Sequence, residues 1–295
     1  MSRLAVAAAV LVAAAGPLAA QVFTPIPVTG YTQDVIADAG NPLPSLTTTS
    51  PFDLYPTTMQ NGPGYVLYQQ GFNPSFPTRG VPANGLIVTS ATRSYQLGPI
   101  NGNNSLHLFS NGTAASTVSG ALTLVAPARY AALSLLLADG NGRQPSQGGY
   151  PGTLAVNWSN GNSTAYPYTV YDWFLLSGTP GPNSGVAIGG LDRVTRDFSS
   201  SFENSTTDPR LYYYDIDLTA DPNYLAGALI DSVTATGTQT GTALENTNIM
   251  GLSGATAVPE PSALALAGLA AGGLAWRRGR RRQPPCAAIA SSTVG

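Results

Sequence analysis

The side chains best suited to bind a ligand are carboxylates in the second half of the chain. Asp215 and Asp217 alternate along a predicted strand, so they share one face about 7 Å apart, and Asp221 follows in the next turn. Hard oxygen ligands of this kind suit calcium. A solvated strand face is the ordinary alternative. The sequence therefore predicts no obligatory cofactor, with calcium at these three residues as the candidate metal.

Aromatic rings form a second candidate site, because Tyr and Trp combine an apolar ring with a polar group that can contact a sugar. Tyr213 shares the predicted face of Asp215 and Asp217, so its ring is expected at the surface. Trp173 follows Asp172 directly. The alternative is that these rings fill the core. Tyr213 and Trp173 are the predicted glycan contacts.

Catalysis is not predicted. His107 is the only imidazole, and no Gly-x-Ser-x-Gly motif is present. A glycosidase needs two carboxylates flanking the sugar bond, and Glu203 and Glu245 lie in polar, loop-like sequence. Asp172 is the best single acid candidate, because a neighbouring aromatic wall desolvates a carboxyl group. Its alternative role is to accept backbone hydrogen bonds at a strand end.

The charge balance of the chain argues against nucleic acid as a partner. Charged residues are 9% of the 295-residue chain, and all 13 basic residues are Arg. Residues 21–257 contain seven Arg against 14 acidic residues. Because an acidic body cannot neutralise a phosphate backbone, nucleic-acid binding is not expected. The single cysteine, Cys286, excludes a disulfide framework.

Short runs with strand character, separated by Gly, Asn and Pro, predict an all-β body. The clearest hairpin pairs Thr153–Trp158 with Ser163–Trp173 across Asn160-Gly161-Asn162. Strand intervals of about 8–12 residues favour a single jelly-roll-like β-sandwich. Further strands are predicted at residues 64–69, 86–89, 94–97, 105–109, 117–125, 130–137, 211–218, 229–236 and 247–253.

Both ends of the chain have membrane-targeting composition. Residues 1–20 combine a basic start, a short apolar helix and small residues, which is typical of a signal peptide. Near the other end, Val258, Pro259, Glu260 and Pro261 precede a short apolar helix that ends at Trp276. An Arg cluster follows the helix and is expected to hold its end in the cytoplasm: Arg277, Arg278, Arg280, Arg281 and Arg282.

The chain therefore divides by composition. The predicted parts are a signal peptide (1–20), an extended Pro/Thr-rich segment (21–62), a β-sandwich domain (63–257), a sorting signal with a transmembrane helix (258–282) and a disordered tail (283–295).

The order Pro-Glu-Pro, apolar helix and Arg cluster resembles the PEP-CTERM sorting signal of exosortase-processed bacterial proteins. This resemblance implies export, a membrane-bound stage, an exosortase as partner and removal of the tail. Four segments of the body, residues 172–174, 190–194, 212–218 and 248–254, resemble segments of PEP-CTERM proteins of similar length. The domains of those proteins look like carbohydrate-binding modules, so the resemblance implies a β-sandwich of that kind.

These resemblances lead to one expected function and two rivals. We expect an exported, non-enzymatic protein of the cell surface or extracellular matrix, either structural or a weak binder of exopolysaccharide. The rivals are a secreted glycan-active hydrolase and a protein-binding adhesin.

Overall fold

Strands dominate the part of the chain that the structure describes, as the sequence pattern predicts. The computed structural model describes residues 21–38, 48–53, 64–109, 116–174, 177–196, 202–203, 207–239 and 245–256. The strands are β1 (Thr24–Pro25), β2 (Val28–Thr29), β3 (Ile36–Ala37), β4 (Tyr65–Tyr68), β5 (Leu86–Ser90), β6 (Arg93–Gln96), β7 (Leu106–Phe109), β8 (Ser116–Ala128), β9 (Ala132–Gly140), β10 (Tyr150–Trp158), β11 (Ser163–Val170), β12 (Ser184–Ile188), β13 (Val194–Thr195), β14 (Leu211–Asp217), β15 (Ile230–Gln239) and β16 (Asn246–Ala255). A 3-10 turn (Pro145–Gln147) and α1 (Pro222–Leu225) are the described helical elements. The all-β prediction is confirmed.

Two larger sheets form a sandwich. The central sheet has the order β1-β16-β9-β14-β12, with β7 also paired to β16, and the outer sheet has the order β11-β10-β15-β8-β2. The predicted hairpin is confirmed as the antiparallel pair β10–β11. The strands β8 and β9, which follow one another in the chain, lie in different sheets. The jelly-roll connectivity stays a prediction.

The first core lies between these two sheets. Leu154, Val156 and Trp158 alternate along β10 and are at most 2% exposed. They belong to the same apolar cluster as Leu133 and Leu135 of β9. Because side chains alternate across a strand, the intervening residues of β10 lie on the opposite face.

The other face of the central sheet is covered as well. Leu136 of β9 and Met250 of β16 pack in a second apolar cluster with Ile87 and Tyr95 of the β5–β6 hairpin. We call β3–β6 and β13 the covering layer. All nine residues of β9 are buried, because layers pack on both of its faces. The predicted β-sandwich has two layers, whereas this fold has a third.

The Pro/Thr-rich segment is part of this unit. β1 pairs with β16 and β2 pairs with β8, while Val35 is fully buried in the second core. Residues 21–257 form one compact unit, which includes this segment. The extended conformation predicted for this segment takes the form of short strands.

Both predicted membrane segments lie outside the described residues. They are the signal peptide (1–20) and residues 258–282, which contain the sorting motif and the Arg cluster. The tail with Cys286 also lies outside the described residues. Within the described ranges, none of the helices has the length and apolar character to cross a bilayer.

Candidate functional site

The face with Tyr213 and Asp215 is closed by Arg93 of the covering layer. Arg93 Nη1 and Nη2 donate to Asp215 Oδ1 and Oδ2 at 2.6 and 2.7 Å. Nη1 also donates to Ser134 Oγ at 2.7 Å and Tyr95 Oη at 3.1 Å. This two-pronged geometry is that of a strong charge-assisted pair. Asp215 is therefore committed to a guanidinium group.

The Tyr213 side chain is in contact with neighbouring groups of the protein. The Arg93 guanidinium lies 4.1 Å from the ring centroid. Gly185, the partner of Tyr213 in the neighbouring strand, lies so close that an added Cβ would be 2.6 Å from the Tyr213 hydroxyl. The ring is partly buried against the second core. It lies on the face that the sequence predicted, but the covering layer lies over that face.

The other two carboxylates of the candidate calcium site, Asp217 and Asp221, accept hydrogen bonds from different parts of the chain. Asp217 is exposed and accepts from the backbone N and Oγ1 of Thr219 at 2.9 and 2.7 Å. Asp221 caps α1 by accepting from Asn223 N at 2.7 Å, and it also accepts from the hydroxyl of Tyr166. Among the described residues, no group of three or more His, Cys, Asp or Glu side chains is arranged to hold a metal.

Trp173 is a core residue in this fold. Its ring is 1% exposed and stacks on Phe52 at a centroid distance of 4.3 Å. Its Nε1 donates to Asp53 Oδ2 at 3.0 Å. Arg193 pairs with the same carboxylate oxygen, with 3.4 Å between its Nη1 and Asp53 Oδ2. A ring buried in this way offers no face to a sugar, which corrects the prediction of Trp173 as a glycan contact and agrees with the alternative of a core ring.

Asp172 has the hydrogen bonds of a strand-end residue. Its Oδ1 accepts from Phe174 N at 2.7 Å. Burial raises the pKa of Asp172 to about 7. Burial, with the neighbouring carboxylates of Asp172 and Glu245, also raises the pKa of Asp139 well above its usual range. Glu245 is 3% exposed and accepts from the hydroxyl of Tyr150.

The remaining catalytic candidates are also bonded to neighbours. His107 Nδ1 lies 2.8 Å from Asn248 Oδ1, and burial lowers the pKa of this imidazole. Glu203 Oε2 pairs with Arg193 at 2.9 Å. The cavity found among the described residues is lined by none of the three catalytic candidates His107, Asp172 and Glu203.

A groove that sequence reasoning missed lies at one end of the covering layer. It encloses about 620 Å³, within the range of ligand pockets. Its lining includes a carboxylate, several amides and apolar groups from Asp38, Gln69, Ala83, Asn84, Gln96, Leu97, Gly98, Pro99, Ile100 and Asn101. These residues follow β3, β4 and β6 or precede β5, and no local motif connects them.

The comparison with protein families identifies the end of the chain. Residues 257–282 match the PEP-CTERM protein-sorting motif, which includes Pro259, Glu260 and Pro261 and extends through the Arg cluster. The chain thus has the sorting signal of exported, exosortase-processed proteins, with exosortase as the implied processing partner. A search of curated proteins finds no match.

Proposed function

We propose that this protein is an exported, non-enzymatic component of the cell surface or extracellular polysaccharide matrix. The PEP-CTERM motif at residues 257–282 is the single observation that carries the proposal. The body remains outside the cytoplasm after exosortase processing, and it is either structural or a weak glycan binder.

The non-enzymatic assignment draws support from how the acidic side chains are used. Asp215 and Glu203 bind arginine side chains, Asp172 accepts a backbone hydrogen bond, and Glu245 accepts a tyrosine hydroxyl. A hydrolase needs one carboxyl group to donate a proton and a second carboxylate at the opposite side of the sugar bond. These four carboxyl groups instead stabilise the fold.

Sorting is tested in the producing cell with an antibody against the body. We expect wild-type protein in the envelope or medium with its tail removed, and full-length protein held at the membrane when exosortase is deleted. Glu260→Ala should act like the deletion, whereas Asp231→Ala, which changes a carboxylate outside the motif, should be processed normally. Identical location and mass with and without exosortase would refute the sorting proposal.

The role of the body is tested by titrating the full chain with exopolysaccharide purified from the same cells. Saturable binding without release of reducing ends supports a glycan-binding body. Release of reducing ends establishes the rival hydrolase and refutes the non-enzymatic assignment. No binding by a folded sample leaves the structural role and refutes glycan binding.

A further inference from the structure

The groove at the end of the covering layer has walls from segments far apart in the chain. Asp38 follows β3, Gln69 follows β4, Asn84 precedes β5, and Gln96 ends β6. The strands hold these residues in place, since β3 pairs with β4 and β5 pairs with β6. The groove is therefore formed by paired strands of the covering layer.

Its amides are oriented by the protein and keep hydrogen-bonding capacity. Gln96 Nε2 donates to the carbonyl oxygen of Asn84 at 3.0 Å and to that of Leu97 at 3.5 Å. Asn84 Oδ1 accepts from Leu86 N at 3.0 Å. Within the described residues, Gln96 Oε1 and Asn84 Nδ2 have no partner, so they remain as one acceptor and one donor.

Asp38 adds a hydrogen-bond acceptor for which the described residues provide no donor. Its Oδ1 is shielded from solvent and has no hydrogen-bond partner among the described residues. Leaving a shielded carboxylate oxygen without a donor is unfavourable. Because Asp38 also lines the groove, its carboxylate can accept a hydrogen bond from a hydroxyl group of a bound ligand.

The rest of the lining is apolar and uncharged. Ala83 and Pro99 are exposed, and Ile100 is partly buried, so they offer C–H surface between the amides. Asp38 is the only charged residue among the described groove residues. A phosphate or acidic sugar would meet a like charge without a cation, whereas a neutral sugar presents hydroxyl groups and C–H faces that match this lining.

We propose that this groove binds a neutral sugar unit of a polysaccharide, with Asp38 and Gln96 accepting hydrogen bonds from its hydroxyls and Asn84 donating to them. The assignment rests on the proposed glycan-binding role of the body and gives that role a site. Tyr213 and Trp173 take no part, because their rings pack within the fold.

The test uses the full-length chain in a sugar-free non-ionic detergent. Ligand-observed NMR titrations measure the affinity for a panel of neutral pentasaccharides (of glucose, mannose, xylose and N-acetylglucosamine), for oligogalacturonate as the acidic comparison, and for the cells' exopolysaccharide. We expect at least one neutral pentasaccharide to bind, and oligogalacturonate to bind more weakly.

Groove variants and matched controls locate the site. Asp38→Ala and Gln96→Ala should each weaken binding about tenfold, as expected for one lost hydrogen bond to the sugar, and Ala83→Trp should abolish it by filling the groove. Asp231→Ala, which removes a carboxylate outside the groove, and Gln70→Ala should bind like wild type. Gln70 matches Gln96 because its Nε2 also donates to a carbonyl oxygen, that of Thr78, at 3.0 Å.

The outcomes distinguish failure of the groove proposal from failure of the proposed glycan binding as a whole. Unchanged binding in all three groove variants overturns the groove while glycan binding stands. Binding of exopolysaccharide without any neutral pentasaccharide, or a preference for oligogalacturonate, also overturns the groove alone. No binding of any probe by a sample with native fluorescence overturns both.

Discussion

Arg93 fastens the covering layer to the central sheet, so its replacement by methionine tests the three-layer architecture. Arg93→Met keeps much of the side-chain length but removes both hydrogen bonds to Asp215. It also removes a cation from between the rings of Phe23 and Tyr213, which lie 4.2 and 4.1 Å from the guanidinium. The Asp215 carboxylate then remains beneath the layer without its counter-charge.

The expected loss follows from the exposure of the pair. Removing one partner of a fully buried ion pair costs about 3–5 kcal/mol. The Arg93 and Asp215 side chains are 14% and 26% exposed, so solvent screening reduces this to about 2 kcal/mol. The two cation–π contacts add about 0.5–1 kcal/mol each. We expect Arg93→Met to lower the free energy of unfolding by about 3 kcal/mol.

The assay is urea unfolding of residues 21–257, followed by the fluorescence of Trp158 and Trp173. Adding Asp215→Asn to Arg93→Met should recover about 1–2 kcal/mol relative to the sum of the single changes, because the orphaned charge is then absent. Arg129→Met is the matched control. Its guanidinium also stacks on a ring, that of Tyr224 at 4.1 Å, but no described carboxylate pairs with it.

Two results would refute this reasoning. A loss of unfolding free energy in Arg93→Met no larger than that in Arg129→Met would mean that the ion pair does not hold the layer. Strictly additive effects of Arg93→Met and Asp215→Asn would show that the two groups do not interact.

Two further predictions concern the buried layers. Burial raises the pKa of Asp34 to about 7 and that of Asp53 to about 6, above the ordinary 3.8. The native state therefore keeps protons that the unfolded chain has released. Since one unit of pKa shift corresponds to about 1.4 kcal/mol, the free energy of unfolding should fall by several kcal/mol as pH rises from about 4 to about 8. Asp53→Asn should flatten this slope in urea titrations, and a free energy of unfolding that rises over the same range would contradict the assignment. Gly140→Ala would place a Cβ 2.3 Å from the carbonyl oxygen of Phe52. It should therefore lower the free energy of unfolding, measured by thermal unfolding, by about 2 kcal/mol. Gly102→Ala is the control and should leave stability nearly unchanged, because the atom nearest to its added Cβ lies 3.8 Å away.

Much of the strand pattern was predictable because it depends on local alternation. Leu154, Val156 and Trp158 alternate along the first strand of the predicted hairpin, and all three are buried. Ile216 and Leu218 alternate with the predicted face of Tyr213 and lie in the first core, while Tyr213 packs on the second. β12 (Ser184–Ile188) was not predicted, since its residues include little of the apolar alternation that marks a strand.

The candidate site was predictable only in part, because exposure depends on what covers a face. A period-two pattern places Tyr213 and Asp215 on one side of a strand, but it does not identify the layer above. That layer includes Arg93, which is 122 residues from Asp215. The groove was missed for a related reason: Gln96 and Asn84 are ordinary amides, and only strand pairing brings them together with Asp38.

The sequence by itself determined the all-β class, the main hairpin and the sorting signal, because each depends on residues that are near neighbours in the chain. The tertiary structure decided which faces of the central sheet are covered, which partner holds each carboxylate and where a concave surface forms. Trp173 shows the difference. Its ring stacks on Phe52, and its hydrogen bond to Asp53 joins residues that are 120 positions apart in the chain. Contacts of that kind arise from the packing of layers and have no signature in local sequence.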